Sequence, residues 1–386
     1  MLSDQQFLRI PGPTPIPPSV QRAILQPMIG HRDEETKMLL QTIRPRLKPI
    51  FGTEQEVLIL AGSGTSGLET AVVNTTQPHD EVLVLVTGAF GERFAQICEA
   101  HQLVTHRMEA PPGEAIAPEH VKAFLSANPS IKVVFATFCE TSTAVLNPIQ
   151  ELAQVVQQNS DALLVVDGVS CVGGVETKMD DWGIDVLVTG SQKALMLPPG
   201  LTFIAVSDRA WDRVHHNPRP RFYFDLKKYH DNLVKDSTPF TPAVSLLFGL
   251  DQVLNLVEEE GVKQVFTRHQ LMMKMTRSAC HALQLPLLTT DQSASPTVTA
   301  VYPRDFQANE LRHVLLKEFG LNLAGGQQEL KNKIFRIGHM GYCSLADVLQ
   351  TISLLELGLA RLGVGREAGV GSAAAQLTFL NGGKTE

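Results

Sequence analysis

ALLVVDGVS (Ala162–Ser170) and DVLVTGSQKAL (Asp185–Leu195), whose lysine follows the aspartate of the first by twenty-six residues, decide how this chain is read. Each opens on a short, almost continuous apolar run with little polar alternation. That is the pattern of a strand buried on both faces of a sheet covered by helices. Each run also leads into a residue that is costly to bury: Asp167 closes the first, and Lys193 follows the second within four residues. A carboxylate in such a place needs a cation or strong donors. A desolvated lysine gives up its proton more readily and becomes a nucleophile. Taken singly, the aspartate reads equally well as a cap and the lysine as a snorkelling surface side chain.

The same texture extends outward through EVLILA (Glu56–Ala61), EVLVLVT (Glu81–Thr87), KVVFAT (Lys132–Thr137) and LTFIAV (Leu201–Val206). Stretches of helical periodicity lie between the runs, at Gly67–Thr75, Gly91–His101, Pro118–Ala127 and Pro148–Asn159. The alternation predicts an α/β fold, a three-layer αβα sandwich around a mostly parallel sheet. In such sheets ligands sit beyond the carboxyl ends of the strands. At those ends GSGTSG (Gly62–Gly67) opens a helix and offers free N–H groups to a phosphate, although no P-loop lysine follows. Phe90, in GAFGE, presents an aromatic face between glycines, and Glu140-Thr141-Ser142-Thr143 brings hydroxyls. A phosphate cradle, a stacking ring, hydroxyls, an aspartate and a lysine are together the parts that pyridoxal phosphate needs.

Composition bounds the remainder. The 386 residues carry 33 Lys plus Arg against 40 Asp plus Glu, a net charge of −7, with the basic residues scattered. That gives no footprint for nucleic acid, and no apolar run is long enough for a membrane span. The N-terminus lacks the apolar core of a signal peptide, so a cytoplasmic protein is expected. The five cysteines are isolated and never spaced C-x-x-C, which argues against a disulfide scaffold, a zinc finger or an iron–sulfur cluster. The expected organisation is a proline-rich N-terminal arm (1–18), a large cofactor-binding domain (19–258), a smaller α+β domain (259–365) and a mobile Gly/Ala-rich tail (366–386).

The chain resembles the class V aminotransferases of the alanine–glyoxylate and serine–glyoxylate type, which have fold type I. The resemblance covers about residues 8 to 362. It rests on PGPTPIP, GSGTSGLE, GAFGERF, ETSTAVLNP, VVDGVS, GSQKAL followed by PPG, TPFTPAVSL and FRIGHMG. It implies pyridoxal 5′-phosphate as cofactor, with Lys193 as the Schiff-base lysine and Asp167 paired with the pyridine nitrogen. Ser63, Gly64, Thr65 and Gln192 match the phosphate site. Phe90 and Val169 match the side chains above and below the ring, and Thr141 the hydroxyl near its O3′. Arg336 matches the substrate-carboxylate clamp, where a planar fork suits better than a lysine. Gly12 matches a backbone donor of the substrate pocket. Thr238 and Thr241 both fall in the segment that reaches the partner's phosphate, which implies a homodimer with shared sites. Arg32 is read as a plain charge near a helix start.

The implied reaction is ping-pong transfer of an amino group from a small amino acid, alanine or serine, to glyoxylate as the 2-oxo acid. Two rivals within the fold are a transaminase for another donor, such as 2-aminoethylphosphonate, and a cysteine desulfurase. The latter needs a nucleophilic cysteine in the loop Leu321–Lys333, which contains none. A role outside catalysis comes from relatives labelled as a small subunit of a soluble hydrogenase. Isolated cysteines supply no metal cluster, so that role would be that of a partner protein.

Overall fold

The computed structural model describes residues 6–365 and 367–382. In chain order, β1 (Phe7–Leu8) precedes α1 (Pro18–Ile24) and α2 (Glu34–Phe51). Then β2 (Val57–Gly62), α3 (Gly64–Thr75), β3 (Glu81–Val86), α4 (Ala89–Ala100), β4 (Val104–Glu109), α5 (Pro118–Ala127) and β5 (Val133–Thr137) alternate. The small hairpin β6 (Cys139–Glu140) and β7 (Val145–Leu146) leads into α6 (Ile149–Asn159), β8 (Leu163–Asp167), α7 (Met179–Trp182), β9 (Val186–Gly190) and β10 (Gly200–Val206). Helices α8 (Asp208–His216), α9 (Leu226–Leu233) and α10 (Val244–Glu260) complete this part.

The main sheet has the order β2-β10-β9-β8-β5-β3-β4. Its pairs are parallel except that β10 runs antiparallel to both β2 and β9. The fold is thus the expected α/β one, with six of its seven strands on the apolar runs. The seventh, β4, reads VTHRME and is partly exposed along its length because it lies at the sheet edge. Period-two alternation divides each central strand between two cores. Leu164, Val166 and Leu187 face one cluster, which also takes residues of α2, α6 and α10. Val165, Val186 and Val188 face the other, with residues of α3, α4 and α8. These are the two interfaces of a three-layer sandwich.

Beyond Glu260 come α11 (Val262–Ala282), β11 (Val298–Val301), α12 (Ala308–Phe319), β12 (Leu321–Asn322), β13 (Ala324–Gly325), β14 (Phe335–Gly338), α13 (Leu345–Arg361) and α14 (Val370–Gly382). Strands β11, β14 and β13 form an antiparallel sheet. The proline-rich arm is extended, and its β1 pairs in parallel with β12. Residues 1–5, part of the expected arm, lie outside the described residues, as do Arg366 and 383–386 of the expected tail. The rest of that tail departs from the expectation of mobility. Helix α14 packs on α11 with Ala375 buried in a cluster containing Met272, Met275 and Ile352. Its small residues allow close helix approach, which composition alone had suggested as looseness.

Candidate active site

The parallel arrangement brings the ends of β2, β8 and β9 to one edge of the sheet, and the side chains there line a cavity of about 220 Å³. Gly12, Ser63, Gly64, Thr65, Phe90, Asp167, Val169, Gln192 and Lys193, all singled out from sequence, line it together. At Gly64 a β-carbon would stand 2.8 Å from Val169 Cγ2, so only glycine lets the start of α3 close on this side chain. Ser63 caps α3, its side chain accepting from Ser66 N–H.

Lys193 is buried, and its Nζ donates to Ser170 Oγ at 3.1 Å and to Pro11 O at 3.3 Å. Burial brings its pKa down to about 8, against the pull of the Asp167 carboxylate. Asp167 is buried too, and its pKa is pushed up to about 6, first by burial. Its Oδ1 accepts from Val169 N–H at 2.9 Å, the one hydrogen bond to this carboxylate among the described residues. The other oxygen is free to meet a donor in the cavity.

Two residues that sequence reasoning missed hold this edge in place. Glu140 is fully buried and caps α4 from a neighbouring element: Oε2 accepts from the N–H groups of Phe90 and Gly91, both at 3.0 Å. Its Oε1 accepts from Ser142 N–H and Oγ–H. Helix α4 has Gly88 as its N-cap and so no side-chain cap of its own, a lack that could have signalled an external one. Burial drives the Glu140 pKa upward, opposed by these donors. The second, Ser170, accepts from both Lys193 Nζ and Thr141 Oγ1, the latter at 2.5 Å.

Thr141, Arg336, Thr238 and Thr241 do not line the cavity. Thr141 lies behind it, against Ser170. Arg336 donates through Nε and Nη2 to Gly325 O and through Nη1 to Thr141 O. Of its five N–H groups, three are committed to these carbonyls and two are not. Burial lowers its pKa to about 10, a range in which it stays charged. Thr238 and Thr241 line a separate, mainly apolar cavity beside Tyr223 and Phe240. Arg32 has more to do than a plain charge: Nη1 donates to Ser237 Oγ at 2.6 Å and Thr238 O at 2.5 Å, tying down that segment.

This donor set fits pyridoxal 5′-phosphate. The amine, the half-committed buried carboxylate, the helix N-terminus and the aromatic–aliphatic pair all face one space. All five cysteines are free and buried, and the described residues contain no group of three or more His, Cys, Asp or Glu placed to hold a metal. No helix among them is long and apolar enough to cross a membrane.

The profile of the family described as "Aminotransferase class-V" matches residues 9–348. The "Soluble hydrogenase, small subunit" of Synechococcus sp. strain PCC 6716 is 42% identical over 94% of this chain and 95% of its own length. The "L-aspartate--glyoxylate aminotransferase" of Paracoccus denitrificans is 35% identical over 97% of this chain and 96% of its own. The crystal structure of pyridoxamine-pyruvate aminotransferase from Mesorhizobium loti superposes with a TM-score of 0.93 at 31% identity, covering 98% of both chains.

Proposed function

The chain belongs to the class-V aminotransferases, and on that premise we propose that it moves an amino group from a small amino acid, alanine or serine, to glyoxylate, using pyridoxal 5′-phosphate held in the Lys193 cavity. The observation that carries this reading is Lys193 itself, buried with a pKa near 8 and facing the same space as Asp167. Bound there, the cofactor supplies an electrophilic carbon and an electron sink.

The chain's own residues do the rest. Ser63, Gly64, Thr65 and Gln192 hold the phosphate, Phe90 and Val169 flank the ring, and Thr141 acts near its hydroxyl. Asp167 accepts the ring N–H and keeps that nitrogen protonated. Lys193, once its amine is free, would take a proton from the substrate α-carbon and deliver it to the cofactor's electrophilic carbon. Arg336 receives the substrate carboxylate on its two uncommitted N–H groups, and the Gly12 backbone closes the pocket. One site serves both half-reactions, so the first product leaves before the acceptor enters.

The protein acts as a homodimer in which Thr238 or Thr241 reaches the partner's phosphate. The separation of both from their own chain's cavity supports this, as do Phe222 packing on Phe240 while remaining 72% exposed and Val234 remaining 87% exposed. Two relatives' names favour other readings: aspartate as donor, and a partner subunit of a hydrogenase.

A donor–acceptor panel tests all of them. Alanine, serine, aspartate and 2-aminoethylphosphonate are offered against glyoxylate and pyruvate, with cysteine desulfuration as control. Turnover of alanine or serine with glyoxylate by the pure protein is the expected result. No turnover with glyoxylate overturns the proposal, and preference for aspartate moves the donor.

A further inference from the structure

One cation of the cavity, Arg93, has no role in the reaction proposed above. Arg93 stands almost one helical turn beyond Phe90 on α4, and its guanidinium lies 4.8 Å from the centre of the Phe90 ring. Its Nη1 comes within 3.5 Å of Thr65 Oγ1, in the first turn of α3. It therefore faces the helix start that carries free N–H groups and the positive end of a dipole. The other polar side chains at that end, from Ser63, Thr65 and Gln192, are neutral. Apart from Lys193, Arg93 is the only cation lining the cavity among the described residues. Its neighbour Glu92 is turned away, to Arg107.

A bound phosphomonoester brings close to two negative charges, whereas a helix N-terminus offers about half a positive one. The neutral side chains can bond its oxygens but cannot balance its charge. We propose that Arg93 holds the phosphate of the cofactor, donating to a phosphate oxygen while its plane rests against Phe90. One side chain then neutralises the anion and braces the ring platform. The inference rests on the cavity being a cofactor site and adds the residue that answers the phosphate's charge.

The test compares pyridoxal 5′-phosphate with pyridoxal, which lacks only the phosphate. Both are titrated by absorbance into the full-length apoprotein. Arg93→Gln is expected to weaken the phosphorylated form about 10- to 100-fold, the scale of one charge-assisted hydrogen bond, and pyridoxal less than about twofold. Arg93→Lys should retain most of the discrimination. Retained pyridoxal binding also reports that the variant is folded. Equal losses for both compounds would make Arg93 a brace for Phe90 alone and overturn the proposal, as would no loss for either. A wild-type protein that captures neither compound would instead sink the cofactor reading itself.

Discussion

Gly12 lies so close over Lys193 that a β-carbon there would stand 2.6 Å from Lys193 Cδ and 2.9 Å from Cε. The N-terminal arm is thus laid along the stem of the lysine, with Pro11 O accepting from Nζ. Gly12 has φ +133°, a conformation that side chains other than glycine rarely adopt. The arm, a loop in sequence terms, fixes where the amine points.

Gly12→Ala is therefore expected to act twice. Backbone strain should lower stability by about 1–3 kcal/mol, read by urea unfolding. The displaced lysine should slow capture of pyridoxal 5′-phosphate by the apoprotein at least ~10-fold, the rate cost of about 1.4 kcal/mol. A capture rate equal to wild type would mean that the arm does not position Lys193.

The amine's pKa near 8 makes a kinetic prediction. The capture rate should rise with pH and level off above about 8, well below the 10.5 of an exposed lysine. Asp167 holds the proton on Lys193 by its charge, so Asp167→Asn should move the plateau to lower pH. Stopped-flow absorbance against pH reads both. A plateau near 10.5 in wild type, or an upward shift in the variant, would contradict the assignment.

Arg336 bridges the β13 backbone and the Thr141 carbonyl, so it pins two parts of the fold, and the proposed reaction adds the role of substrate clamp. Arg336→Lys keeps the charge and loses the fork. KM for the carboxylate donor should rise about 10- to 100-fold, while affinity for the cofactor changes less than about threefold. Matched losses in steady-state kinetics and cofactor titration would leave only the pin.

Much of this edge was legible because desolvation makes buried polar residues conspicuous in apolar runs. Asp167 and Lys193 stand out at the ends of VV and VT for that reason. Edge strand β4 did not, since VTHRME is half solvated and carries no such contrast. Glu140 and Ser170 escaped for another reason. Their importance lies in partners fifty and twenty-three residues away, Phe90 and Lys193, and pairings across the sheet leave no local spacing. Composition does not separate the two states of the tail, because Gly and Ala suit a close-packed helix as well as a loose segment. Arg93 sat inside the quoted GAFGERF motif, but only the fold turns it toward Thr65.

His269 and His339 are both buried behind the site. His269 Nδ1–H donates to Val265 O at 2.7 Å, and its Nε2 accepts from Gly341 N–H at 3.0 Å. His339 Nδ1–H donates to Pro296 O at 2.9 Å, and its Nε2 pairs with Thr299 Oγ1 at 2.9 Å. The backbone donor at Nε2 fixes the His269 ring neutral, and burial lowers both pKa values from 6.5 to about 3. Between those values the unfolded chain takes up a proton that the folded ring refuses. Stability should thus fall as pH falls, by up to about 1.4 kcal/mol per pH unit for each histidine. Asp167 and Glu140, whose carboxyl pKa values are pushed up, work in the opposite sense, but they do so equally in wild type and variant. His269→Gln should cost about 1–3 kcal/mol at pH 7.5 through its lost hydrogen bonds, and clearly less at pH 4.5. Urea unfolding at the two pH values measures the difference, and a cost that stays constant would mean that His269 is not held neutral.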